Sequence, residues 1–162
     1  MELQQNNQLK AILDKFWRWA NYTPVEYAKI AFLSFRRDGH EECDFPLYAE
    51  MADQAIAMLR YNTIGYSDMD DFLTAMAING ESGWILDECQ DSATDDFFQQ
   101  IIAQGSCHLQ PEARRQIAEL LRRRETPNRM EYLNKLLQDP IEYVRRYAKN
   151  MIEFIIEDSF SS

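Results

Sequence analysis

The sequence predicts an all-α fold on three observations: apolar residues recur at helical spacing, caps and prolines stand where those stripes begin, and no stretch alternates long enough for a sheet. Eight or nine helices in stacked helical hairpins, forming one domain over residues 1–162, account for the pattern. The 162 residues are 46% hydrophobic and 27% charged, enough to bury a core without disulfides or a structural metal.

Leu9, Ile12, Leu13, Phe16, Trp17 and Ala20 carry the first helix. Ala28, Ala31, Phe32 and Phe35 carry the second, completing a hairpin. Between them, Thr23-Pro24-Val25-Glu26 offers a capping hydroxyl, then a proline at the first helical position, then a glutamate that reaches back to the cap amide. Gly39 fits the stop. Tyr48, Ala52, Ala55, Ile56 and Leu59 make the next stripe, and Tyr61 to Tyr66 is the one place where a short strand is admissible. Ser67-Asp68-Met69-Asp70 opens the helix of Phe72, Leu73 and Met76, which Gly80 ends. Gly80-Glu81-Ser82-Gly83-Trp84 reads as a helix junction that presents an indole. Ser92-Ala93-Thr94-Asp95 starts the helix of Phe97, Phe98, Ile101 and Ile102, with Gly105 at its end. Ala113, Ile117, Leu120 and Leu121 follow; Thr126-Pro127 and Asp139-Pro140-Ile141-Glu142 are two further starts, the last for Ile141, Val144, Ala148, Met151, Ile152 and Ile155.

The last third echoes itself, since Pro111-Glu112-Ala113-Arg114 can be laid on the segment ending Val144-Arg145 at an offset of 31 residues, Arg114 to Arg145. Leu136-Leu137-Gln138-Asp139-Pro140, followed by Val144-Arg145 and Ala148, resembles the second half of a HEAT repeat. The resemblance reaches over residues 95–157, and it implies that Asp139 and Arg145 help hold stacked hairpins together.

Charge is distributed unevenly along the chain. Residues 38–96 hold 15 acids and a single base, Arg60, whereas the flanking segments 1–37 and 97–150 are mildly basic, and the whole carries −10. Crowded carboxylates repel one another, so a complementary cationic protein gives them a purpose, while nucleic acid and anionic membranes are disfavoured on that face. First-turn acids that complement helix dipoles explain part of the excess. Phe45, Tyr48, Tyr61, Tyr66, Phe72 and Trp84 lie in the same span as candidate interface anchors. The arginines of the last third, Arg114, Arg115, Arg122, Arg123, Arg124 and Arg129, read either as a phosphate-binding face or, better, as partners of helix C-termini and of the acidic half of this chain or of a second copy.

No catalytic constellation is expected. His40 and His108 have no nucleophile in a triad context, Asp68-Met69-Asp70-Asp71 fails as a calcium loop at Leu73 and Asn79, and there is no glycine-rich phosphate loop. Cys43, Cys89 and Cys107 are odd in number and scattered, which suits reduced, structural thiols. The expectations are therefore no cofactor, no metal and no enzymatic activity. With neither a leader-like start nor an apolar run of spanning length, the expected location is the cytoplasm.

In size, acidity and absence of catalytic motifs the chain resembles the immunity proteins of bacterial toxin systems, including those of contact-dependent growth inhibition. The resemblance implies that Asp68, Asp70, Asp71, Trp84, Asp87, Glu88, Asp91, Asp95 and Asp96 meet the cationic cleft of a basic toxin domain, such as a nuclease, and exclude its substrate. Two other readings stand beside it. One is a HEAT-like adaptor that binds on the face near Arg114 and Arg145; the other is a metal-dependent enzyme built around His40 and Cys43.

Overall fold

The computed structural model describes residues 2–30, 41–61, 64–65 and 68–161. Among these residues the chain is all-helical, with nine α-helices and no strand. The helices are α1 (Glu2–Ala20), α2 (Pro24–Ile30), α3 (Tyr48–Arg60), α4 (Met69–Ile78), α5 (Trp84–Ser92), α6 (Asp95–Gly105), α7 (Pro111–Arg123), α8 (Arg129–Leu136) and α9 (Glu142–Phe160). A single 3-10 turn, Glu42–Asp44, precedes α3.

Two starts form as the sequence predicts. Glu26 Oε2 accepts from the Thr23 amide at 2.8 Å while Thr23 Oγ1 accepts from the Glu26 amide at 3.2 Å, closing a capping box that holds the Glu26 carboxyl below its usual range. Thr94 Oγ1 accepts from the Phe97 amide at 3.3 Å and caps α6.

Three starts differ. The Asp68 side chain makes no cap bond to α4, and Ser67 lies outside the described residues. Thr126-Pro127 does not open α8; the Thr126 hydroxyl accepts from Gln99 Nε2 of α6, and the chain turns again through Asn128 at φ +64° before the helix begins. Asp139-Pro140 does not open α9, which begins at Glu142, because the Asp139 carboxylate is taken by Arg114 and by the Ile141 amide. The segment where a strand is admissible lies partly outside the described residues: Tyr61 is the C-cap of α3, Ile64 and Gly65 are in no strand, and residues 62–63 and 66–67 are not described. Ala31, Phe32, Phe35, Gly39 and His40 likewise lie outside the described residues.

The core is built around α7, which packs on α4, α5, α6, α8 and α9. Ala113, Ile117, Ala118, Leu120 and Leu121 are all buried in it. α6 can approach α7 because Gly105 has no side chain: a Cβ there would stand 2.6 Å from Ile117 Cγ1. At the other end of the molecule Phe16 gathers Trp17, Trp19, Tyr27 and Phe45 around itself, at ring separations of 5.1 to 5.8 Å.

A buried ion pair ties the last hairpin to α7. Arg114 Nε and Nη2 donate to Asp139 Oδ2 and Oδ1 at 2.6 and 3.1 Å, and Nη1 donates to the His108 and Leu109 carbonyls. Arg145 Nη1 donates to the Asp139 carbonyl at 2.6 Å. The aspartate of the α8–α9 turn is thus held by two arginines, one from each copy of the sequence echo. On α9, Val144, Ala148 and Met151 face the core, while Ile156 and Phe160 are exposed. Among the described residues no helix is long and apolar enough to cross a membrane.

Candidate functional site

The nine residues singled out from the sequence fall into two neighbourhoods. The first is the start of α4. Asp68 precedes the helix and Asp70 and Asp71 occupy its first turn, where the dipole favours negative charge. Asp70 Oδ1 lies 2.9 Å from Nε2 of His108, which stands in the α6–α7 turn. Since His108 Nδ1 accepts from the Gln110 amide at 3.1 Å, the neutral ring carries its proton on Nε2 and donates it to Asp70. Burial pushes the His108 pKa down against the pull of Asp70. Both ring nitrogens are engaged within the fold, so the neutral imidazole has its one basic lone pair already occupied by the Gln110 amide. It ties α4 to the α6–α7 turn. Desolvation raises the half-buried Asp71 carboxyl, Lys10 opposes that, and Asp70, Asp68 and Asp14 raise it further.

The second neighbourhood is α5 and the start of α6. Gly83 enters α5 at φ +68°, a left-handed conformation that suits glycine. Trp84, the first residue of the helix, is 47% exposed with its ring 5.8 Å from that of Tyr48. Asp87, Glu88 and Asp91 follow on α5, and Asp95 and Asp96 open α6. Arginines from elsewhere in the fold reach into this group. Arg123 Nη1 donates to Asp87 at 2.8 Å. Arg60 forks onto Glu88 at 2.6 and 3.1 Å, and with Ser92 it holds that carboxyl below its usual range.

Arg124 does the most. Its Nη2 donates to Asp95 at 2.8 Å, its Nη1 donates to the Ala93 carbonyl at 2.8 Å and reaches those of Cys89 and Gln90, and its guanidinium stands 4.4 Å over the Phe98 ring. One side chain of the α7 terminus therefore closes the end of α5 and meets the start of α6. Asp91 and Asp96 are exposed and meet no cation among the described residues.

Arg123 and Arg124 thus draw Asp87 and Asp95 to the end of α7, Glu88 is drawn to Arg60 of α3, and Asp91 and Asp96 stand exposed on α5 and in the first turn of α6, while Asp70 pairs with His108 and Asp71 feels Lys10 and Asp14 of α1. Trp84 stands at the entry to α5, beside Tyr48. Of the six aromatic anchors, Phe45, Tyr48 and Phe72 are buried core residues; Tyr61 and Trp84 are exposed, and Tyr66 is not described. The correction follows from helical register, because Tyr48 and Phe72 continue the same stripes as Ala52 and Met76. Among the arginines, Arg114 is buried with Asp139 and cannot present a binding face, whereas Arg123 and Arg124 pair with the acidic half.

His40 is not described, but Cys43 meets Glu41 and Glu81, with ligand atoms all within 4.8 Å of one another. All three residues are exposed, and desolvation followed by the charges of Asp44 and Glu41 raises the Cys43 thiol, keeping it protonated and a weak ligand. Cys89 is buried and Cys107 exposed, both free.

Two features escaped the sequence reading. The His108–Asp70 tie joins residues far apart in the chain, and the role of Arg124 depends on how α5 and α6 meet the end of α7. The arginine run in the sequence carried the only hint of the latter. Compared with models of protein families, with curated proteins and with solved structures, the chain matches none.

Proposed function

We propose that this chain is a cytoplasmic, non-catalytic binding protein that neutralises a basic protein partner, as an immunity protein neutralises its cognate bacterial toxin. The observation that carries the reading is the surface formed by α5 and the start of α6. There three of five carboxylates meet arginines, and among the described residues Asp91 and Asp96 meet no cation. The pairs made by Asp87 and Asp95 are exposed at the acid, with side chains 62% and 98% accessible, so water weakens them and a partner's cations can compete for the same oxygens. Trp84 supplies an exposed aromatic on the same helix. On this reading Asp87, Glu88, Asp91, Asp95 and Asp96 form the contact, and Asp68, Asp70 and Asp71 support the fold.

Co-expression tests it. Expressed beside the product of the adjacent reading frame, the chain should restore growth that this product alone arrests. Asp91→Lys with Asp96→Lys should abolish the rescue without changing helix content, because neither side chain holds the fold together. Undiminished rescue would move the contact elsewhere, and a neighbouring product that is harmless by itself would remove the immunity reading.

A HEAT-like scaffold is the second reading, favoured by the grip of Arg114 and Arg145 on Asp139 between stacked helices. It needs a contact face other than Arg114, which is buried.

A further inference from the structure

The outer side of α9 carries an exposed apolar row and an ordered run of charge. Ile152, Ile156 and Phe160 lie one turn apart along the helix. Ile152 is partly buried, whereas Ile156 is 47% and Phe160 85% exposed. Large apolar side chains in a row on solvent-facing helix surface lose the stabilisation that covering them would give. The second feature is charge order. After Glu142 at its start, Arg145, Arg146 and Lys149 fall in the first half of α9, and Glu153, Glu157 and Asp158 in the second, with no base in the last turn. A helix dipole favours the reverse, acids at the start and bases at the end. Glu142 obeys that order, but the acidic C-terminal half, without a base in its last turn, runs against it.

We propose that α9 is a self-association surface that pairs antiparallel with α9 of a second copy of this chain. A two-fold axis across the helix sets the basic half of each α9 against the acidic half of the other and lays their dipoles side by side in opposite directions. The same axis brings the exposed Ile156 and Phe160 of both copies under cover. A parallel arrangement would oppose like charges along the whole helix. Arg146, Lys149, Glu153 and Glu157 are exposed and available for the exchange, whereas Arg145 is spent on the Asp139 carbonyl. A single helix pair is a small interface, so the dimer is a weak one, with a dissociation constant on the order of 10 to 100 μM. This surface is separate from the α5–α6 carboxylates, and the two proposals stand or fall independently.

Sedimentation equilibrium of the full chain from about 5 to 500 μM tests the pairing. The wild type is expected to pass from monomer to dimer across that range. Ile156→Asp with Phe160→Ser should weaken association about tenfold or more, with helix content by circular dichroism unchanged because both positions are exposed. Arg146→Glu with Lys149→Glu should also weaken it, and adding Glu153→Lys with Glu157→Lys should restore it, since the fourfold exchange recreates antiparallel complementarity. A wild type that stays monomeric at 500 μM, or a dimer indifferent to the apolar variant, overturns the proposal. A fourfold variant no tighter than the acidic double variant overturns the antiparallel orientation.

Discussion

Replacing Arg114 by alanine should destabilise the protein more than removal of any other single charge described above. The wild-type guanidinium makes two bonds to Asp139 and two to main-chain carbonyls, and the paired side chains are only 11% and 4% exposed. Without it the Asp139 carboxylate stays buried with the Ile141 amide as its remaining donor, and the His108 and Leu109 carbonyls lose a partner. Breaking one side of a buried pair costs about 3 to 5 kcal/mol, against a total of about 5 to 15 kcal/mol for a domain. With a urea slope near 2 kcal/mol per M, the unfolding midpoint should drop by about 2 M. Removing both charges together, as Arg114→Met with Asp139→Leu, should cost markedly less than Arg114→Ala alone, because no ion is left stranded. Urea titration followed by far-ultraviolet circular dichroism measures all three proteins. An Arg114→Ala midpoint within about 0.5 M of wild type, equivalent to about 1 kcal/mol, would refute the claim that this pair fastens the last hairpin to α7.

Gly105→Ala should cost about 1 to 3 kcal/mol by overpacking, read as a lower melting temperature, because the new methyl would press on Ile117 and Leu73. Asp95→Ala should cost under about 1 kcal/mol, since its ion pair is solvent-exposed. Arg124→Ala should cost about 2 kcal/mol or more, having lost its carbonyl bonds and its ring contact as well; equal effects would show that Arg124 acts through Asp95 alone. Stability should also fall as pH drops through 6.5, the ordinary histidine value, because His108 is held below it in the fold and the unfolded chain binds the extra proton. His108→Gln should flatten that slope in denaturation curves between pH 7.5 and 5.5. A separate loss begins below about 4.5, where Glu88 and Glu119, both held low by arginine, take up protons in the unfolded chain first.

What the sequence disclosed was decided by local chemistry. Thr23 with Glu26, and Thr94 before Phe97, cap their helices through contacts three residues long, and the apolar stripes of α3, α7 and α9 needed only their periodicity. Asp139 and Thr126 carry equally good cap signatures yet are drawn away by Arg114 and Gln99, partners 25 and 27 residues distant. The candidate surface followed the same division. A charge count finds the acids, but which of them are neutralised depends on where the end of α7 lands. Arg123 and Arg124 land on Asp87 and Asp95, while Asp91, only four residues from Asp87, meets no cation among the described residues.

The placement of α7 bears on how the chain is made. α4, α5 and α6 rest on it and leave the ribosome before it exists; α8 and α9 follow. At translation speeds of about 5 to 20 residues per second, α4, α5 and α6 wait seconds for the helix on which all three pack. Until Arg123 has emerged, the faces of α4, α5 and α6 that pack on α7 lack that cover. A nascent chain halted before that point should bind holdase chaperones and resist release, whereas one halted beyond Arg123 should begin to protect its amides from hydrogen exchange, with those of α7 the slowest to exchange.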